Sequence, residues 1–395
     1  MINEIKQLAQ ENFEETVNIR RHLHANPELS FKEYETAKFI VHKLKEAGIE
    51  HKTGLADGNG IVAEIGEGSN VLALRADIDA LPIQESNTVD YASGNAGIMH
   101  ACGHDAHSAS LLGTILILKK MESKIRGKVR FLFQPAEERF PGGASLMIRD
   151  GALQNPEVSA IYGQHVFPEL LVGQIGYRAG ESMASADELY ITITGKGGHA
   201  AAPEKLIDPV IVVAQIISNL QTLISRNGNP RIPSVLSIGK VQSEGGSTNI
   251  IPDRIHLEGT FRTFDEEWRF NAHDIIKQRV QQIAAAYGAK ADVEIKVGYP
   301  VLNNDVELTA RSISWMRDYM GHDNVVQIPL RLGAEDFSYY SHKVPACFYR
   351  LGTASPNGDN HSGLHTPTFN IDEKALLHGT GLMAWLAMQY LDSAA

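Results

Sequence analysis

The hydrophobic period changes partway along the chain, and that change limits the folds open to it. Three segments, VLALRAD (71–77), KVRFLFQ (128–134) and SAIYGQH (159–165), are strand-like and apolar almost without interruption. Continuous rather than alternating apolarity belongs to strands buried on both faces, as in a mostly parallel sheet covered by helices. Helical spacing at 3–24, 32–47 and 106–121 supplies the covers, and Ala47-Gly48 is a helix stop. From about Gly180 the pattern alternates. DELYITITG (187–195) sets Leu189, Ile191 and Ile193 on one face, and RIHLEGTFRTF sets Ile255, Leu257 and Phe261 against Arg254, His256 and Glu258. With helices at 209–226 and 266–287, the strand PSVLSIGKV and a strand at 291–298, the order is βαββαβ, the ferredoxin-like pattern. Doubly wound character returns after 300, with a helix at 305–320, ACFYRLG at 346–352 and a helix at 372–392. The expected fold is α/β. A domain of residues 1–180 and 299–395 surrounds a central, mostly parallel sheet, and an inserted ferredoxin-like α+β domain occupies 181–298.

Composition removes several classes of function. The chain has 395 residues, 43% of them apolar, and a net charge of −11, which gives no support to binding of nucleic acid or an anionic membrane, since both want basic faces. LLGTILIL at 111–118 is too short to span a bilayer. The segment MINEIKQLAQENFEE carries acids early and no apolar core, unlike a secretory signal. Two cysteines, Cys102 and Cys347, make no disulfide framework. The expectation is a cytoplasmic, reducing location.

The densest chemistry is MHACGHDAHSAS at 99–110, with three histidines and a cysteine inside eight residues. Cys102 and His104 are two apart and cannot share a helix face, so both are expected in a loop before a helix that Asp105 caps. Thiolate and imidazole suit zinc and its neighbours. QPAEERFPGGA places Glu137 and Glu138 just past an apolar strand, where one carboxylate could bind a metal while the other handles a proton. GQHVF closes a strand with His165, ALRADIDALP closes another with Asp77 and Asp79, and NHSGLHTPTFNID carries His361 and His365. Each alone has an ordinary surface explanation. Together, Asp77, Glu137, Glu138 and His165 fall at the carboxyl ends of strands, the edge where sites assemble in open α/β sheets. A cysteine nucleophile at Cys102 is the competing mechanism, but it has no use for two adjacent carboxylates. HExxH, GxSxG, Walker and CxxC motifs are missing from the sequence.

The ordered set RRHLHANPELSFKEYET, RADIDALPI, MHACGHDAH, QPAEE, GQHVFP, GKGGHAAAPE, GAEDFS and LHTPTFNIDE spans nearly the whole chain. It resembles the amidohydrolase branch of the aminoacylase and glutamate-carboxypeptidase family, which includes hippurate hydrolases, N-acetyldiaminopimelate deacetylases and hydrolases of indole-acetic-acid–amino-acid conjugates. The resemblance implies two divalent metal ions held by Cys102, His104, Glu138, His165 and His365, with Glu137 as general base. It makes Asp77 a supporting or catalytic acid beside the metals and Asp79 a partner of it. It suggests His199 as a residue reaching a site across a dimer interface, and Asn249 and Arg262 as substrate contacts. Zinc is the first expectation for a site with a thiolate, with manganese, nickel or cobalt open to it. The expected activity is hydrolysis of N-acyl amino acids to a carboxylic acid and a free amino acid, in a homodimer formed through the inserted domain. The rivals are a dipeptidase or carboxypeptidase, and a non-catalytic metal-dependent binding protein on the same fold. Nothing in the residues names the acyl group or the amino acid.

Overall fold

The strands that read as continuous apolar runs lie side by side. In the computed structural model, which describes residues 1–358 and 362–393, Lys128–Gln134, Val71–Asp77, Val158–Leu171 and Ala346–Ala354 run parallel in that spatial order. Antiparallel Glu50–Leu55 and Gly60–Gly66 extend one side, and Ile175–Tyr177 and Val325–Gln327 the other, giving an eight-stranded sheet. Every residue of Val71–Asp77 and of Ala346–Ala354 is buried, as strands covered on both faces require. Parallel strands deliver their carboxyl ends to one edge, and Asp77 stands in register with Gln134 there.

Three local readings need correction. The spacing over 3–24 is two helices, Ile2–Glu11 and Phe13–Ala25, broken at Asn12. The Asn12 side chain donates to the Leu8 carbonyl, the local bonding by which Asn competes with a continuing helix. His165 does not close its strand, which runs on to Leu171; what ends is the pairing with Val71–Asp77, whose last register pair is Arg75 with Gly163. Asp105 caps nothing. Gly103, left-handed at φ 83°, is the N-cap, and the helix starts at His104 and runs to Lys120. A Cβ on Gly103 would collide with Val166 Cγ2, so the turn also needs glycine for space. The Asp105 carboxylate points instead to Arg20 Nε and His24 Nδ1, both at 2.8 Å, and this buried ion pair fastens the helix start to Phe13–Ala25.

The chain divides into two compact units. One is Met1–Ser182 with Asn303–Pro329 and Asp336–Ala395, and the other is Met183–Leu302 with Leu330–Glu335. The short return of 330–335 has no sequence signal. It is held by backbone and side-chain bonds, Ala184 N to Arg331 O at 3.0 Å and Arg262 Nη1 to Leu332 O at 2.8 Å.

In the second unit the strands order as Ser234–Ser243, Arg254–Thr263, Asp187–Thr194 and Lys290–Val297, all antiparallel. This second–third–first–fourth order is ferredoxin-like. Leu189, Ile191, Ile193, Ile255, Leu257 and Phe261 pack in one core with Val212, Ile216 and Leu220 of helix Pro209–Arg226 and Ala272 and Ile276 of helix Glu266–Ala286. Among the described residues no helix is long and apolar enough to cross a membrane.

Candidate metal centre

Six candidate donors arrive from four separate segments of the first unit. Cys102 and His104 flank the left-handed Gly103 and each offer an atom within 4.8 Å of the other. Glu137 and Glu138 lie in the turn after Lys128–Gln134, and His165 comes from the strand beyond Gly163. His365, at φ 61°, hangs its amide on the Ala101 carbonyl at 2.9 Å, next to Cys102 in the chain. His361 lies outside the described residues.

The donor atoms converge. Cys102, His104 and His165 each offer an atom within 4.8 Å of the others, as do Cys102, Glu138 and His365, and His104, Glu137 and Glu138. Cys102 Sγ stands 3.5 Å from His165 Nε2, and His365 Nε2 stands 3.2 Å from Glu138 Oε1. His165 Nδ1 meets the Val166 carbonyl at 2.7 Å and therefore carries the proton, leaving Nε2 as a lone pair facing the thiol. His104 Nδ1 likewise meets Asp79 Oδ1 at 3.1 Å, which turns Nε2 inward, where a cation would take the place of its proton. His104 Nε2 and Glu138 Oε1 are buried without a hydrogen-bond partner. Buried polar atoms are normally satisfied, so two orphans facing other donors fit a cation. His107 is different: Nδ1 donates to Asp77 Oδ1 at 2.6 Å and Nε2 accepts from Val166 N at 2.9 Å, so neither nitrogen is spare.

The field at the site favours positive charge. Burial alone would lower His104, but Asp77, Asp79 and Glu138 push it up to about 10. Burial opposes ionisation of Asp77 too, and His104, Arg75 and His107 overcome it and hold that carboxyl well below the usual range. Cys102 goes the other way. Burial first, then the Glu138, Glu137 and Asp77 carboxylates, push its thiol well above its ordinary value. A nucleophilic cysteine needs the opposite shift; a cation beside the sulfur would supply the charge this thiolate lacks.

Arg75 and Asp336 carry no sequence signal of their own role, and Asp79, expected beside Asp77, bonds elsewhere. Asp79 accepts from His104, from Glu137 N at 3.1 Å, from Glu138 N at 3.0 Å and from Ser30 Oγ at 2.7 Å. Arg75 donates to Asp77 Oδ2 at 2.6 Å, to Asp336 Oδ1 at 2.7 Å and to Gln134 Oε1 at 2.8 Å, all buried. Asp336 belongs to the GAEDFS segment, and this bond gives that segment a physical task. Their partners lie up to 261 positions away, beyond any local pattern.

The remaining candidates belong to the second unit. His199 is exposed on the two-residue strand Gly198–His199, paired with Ile250, and its Nδ1 accepts from Ala201 N at 3.1 Å. Asn249 is its neighbour, with its carbonyl bonded to Ala200 N at 3.0 Å. Arg262 lies on Arg254–Thr263, half-buried, with its guanidinium on Leu332 O.

Comparison with known proteins gives the family. The pattern of Peptidase family M20/M25/M40 matches residues 73–389, and the chain belongs to that family, with amidohydrolases among its near relatives. N-acetyl-L-cysteine deacetylase of Bacillus subtilis is 43% identical over 388 residues, covering 95% of this chain and 88% of the relative. A putative aminohydrolase from methicillin-resistant Staphylococcus aureus superposes with a TM-score of 0.92 at 34% identity, covering 99% of this chain and all of that one. A dinuclear metal-binding M20 peptidase of Bacillus subtilis gives 0.83 at 39% identity, covering 97% and 99%.

Proposed function

We propose that the chain hydrolyses the amide bond of N-acyl amino acids, with two divalent metal ions held by Cys102, His104, Glu138, His165 and His365. The observation that carries the reading is a pair of buried donor atoms that make no hydrogen bond, His104 Nε2 and Glu138 Oε1, set among three further donors, with His365 Nε2 3.2 Å from the Glu138 oxygen, and beside Glu137. Ions bound there would polarise the scissile carbonyl and make water acidic enough to attack near neutral pH. Zinc fits the thiolate best, and manganese, nickel or cobalt fit the rest of the set.

The protein's own groups handle the protons. Glu137, 6% exposed, takes a proton from the attacking water and returns it to the leaving nitrogen as the C–N bond breaks. One water is consumed, and a carboxylic acid and a free amine leave. Asp77 accepts from Arg75 and from His107, one on each oxygen, so its work is to orient them rather than to donate a proton. Asp79 holds His104 with its Nε2 inward. The relative named for N-acetyl-L-cysteine supports an N-acyl amino acid as the substrate class.

The second unit is proposed to form the contact of a homodimer, with His199 reaching the partner's site and Asn249 and Arg262 touching substrate. Its sheet has Ser234–Ser243 and Lys290–Val297 as edge strands, and Val210, Ile211, Val241 and Ile250 stand 45–52% exposed. Exposed apolar groups beside an open edge favour a second copy. Two unpaired cysteines suit a reducing, cytoplasmic setting. A panel of N-acyl amino acids with the matching dipeptides, followed by release of free amine, tests the activity. The expected result is faster turnover of the N-acyl compounds. Faster turnover of the dipeptides would make the chain a dipeptidase instead.

A further inference from the structure

Glu33 is fully buried, just before the helix Tyr34–Glu46, and about a hundred positions before the two site glutamates. Its carboxylate is occupied by three donors. Oε1 accepts from Phe31 N and from Ala136 N, both at 2.9 Å, and Oε2 accepts from Asn59 Nδ2 at 2.9 Å. Next to it, Asp79 accepts the amides of Glu137 and Glu138. Three consecutive amides, those of Ala136, Glu137 and Glu138, are thus held by two buried carboxylates. Ala136 is left-handed at φ 53°, a conformation that is costly for a non-glycine residue and persists only where the surroundings impose it. The other side of the turn is closed as well. Gly143 N donates to the Ala136 carbonyl at 3.0 Å, and a Cβ on Gly143 would collide with Pro135 O. The direction in which Glu137 leaves the backbone follows from the conformation of the residue before it, and Glu33 grips that residue.

We infer that Glu33 is a positioning residue for Glu137: by holding the Ala136 amide it fixes the left-handed turn that sets where the base carboxylate stands. This rests on the reading of Glu137 as the base. Glu33 acts through the backbone and touches no reacting atom. A base displaced by about 1 Å loses on the order of 10²-fold in rate, so a loosened turn costs turnover before it costs binding.

Three variants separate positioning from bulk stability. Glu33→Gln keeps an acceptor oxygen for Phe31 and Ala136 and gives up only the one that Asn59 Nδ2 uses. Glu33→Asp keeps the charge but retracts it by one methylene, and Glu33→Ala removes the acceptor. Four quantities are read on each: kcat, KM, bound metal, and amide hydrogen exchange at 136–138. The expectation is that Asp and Ala lower kcat by about 10-fold or more, with KM within about 3-fold and metal at the wild-type level. Exchange at Ala136 quickens in both. Gln restores kcat to within about 3-fold and keeps exchange slow. Wild-type kcat in the Asp variant, a Gln variant no better than Asp, or unchanged exchange at Ala136 overturns the inference. If the Ala variant does not fold, Asp against Gln decides. A wild-type protein that turns over no N-acyl amino acid sinks the functional reading alone, because the exchange comparison still reports whether Glu33 holds the turn.

Discussion

At the scale of single residues, the difference between His104 and His107 is a difference in spare nitrogens. His107 spends both nitrogens on Asp77 and Val166 N, whereas His104 spends one on Asp79 and leaves the other buried and unmatched. The sequence placed both in one motif and offered no means to rank them from local spacing, because the partners that rank them lie 25 to 59 positions away. The two glutamates differ in the same way. Glu138 Oε1 faces His365 and His104, while Glu137 is the more buried of the two. Replacing Glu137 with Gln keeps size and hydrogen bonding but removes the base. Turnover is expected to fall by at least roughly 10²-fold with metal content unchanged. Loss of metal in that variant, measured by elemental analysis, would mean that the roles of Glu137 and Glu138 are exchanged.

At the scale of elements, the strands were legible because burial on both faces leaves a composition signal, and the inserted unit because burial on one face leaves an alternation. What escaped was set by tertiary bonds. Asp105 looks like a cap from its place before an apolar run, yet Arg20, 85 positions away, claims its carboxylate. Asp187, at the start of its strand, is another case: it is buried and binds Arg269 Nε at 2.8 Å, His273 Nε2 at 2.7 Å and Gly298 N at 3.1 Å. It thereby ties the first strand of the second unit to its second helix and to the end of its last strand. Burial opposes ionisation, but Arg269 and His273 outweigh it and hold the carboxyl below its ordinary 3.8. A depressed folded value contributes stability above the unfolded value and loses it as pH falls through the folded one. Stability of the wild type should therefore drop below about pH 4 in part through Asp187. Asp187→Asn should be less stable at pH 7 and show a shallower acid slope, read from denaturant midpoints between pH 7 and 3. An equal slope in both proteins would remove Asp187 from the acid response.

At the scale of the whole molecule, the two-unit organisation could be read from the change in period, but the return of Leu330–Glu335 to the second unit could not. Six residues held by a backbone bond and the Arg262 side chain carry no periodic signal. The proposed dimer is testable by mixing. His199→Ala and Glu137→Gln proteins, each nearly inactive, are combined under conditions of verified subunit exchange. If His199 serves the partner's site, some mixed sites carry both intact residues and activity partly returns. Exchange without recovery would place His199 within its own chain's work, or outside catalysis.

Every role proposed for these side chains depends on bound metal. Protein stripped by a strong chelator is titrated with a divalent ion while bound metal and release of amine from an N-acyl amino acid are followed together. Turnover is expected to be absent in the stripped protein and to rise with occupancy until about two ions are bound per chain. Full turnover in protein shown by elemental analysis to be metal-free would contradict it.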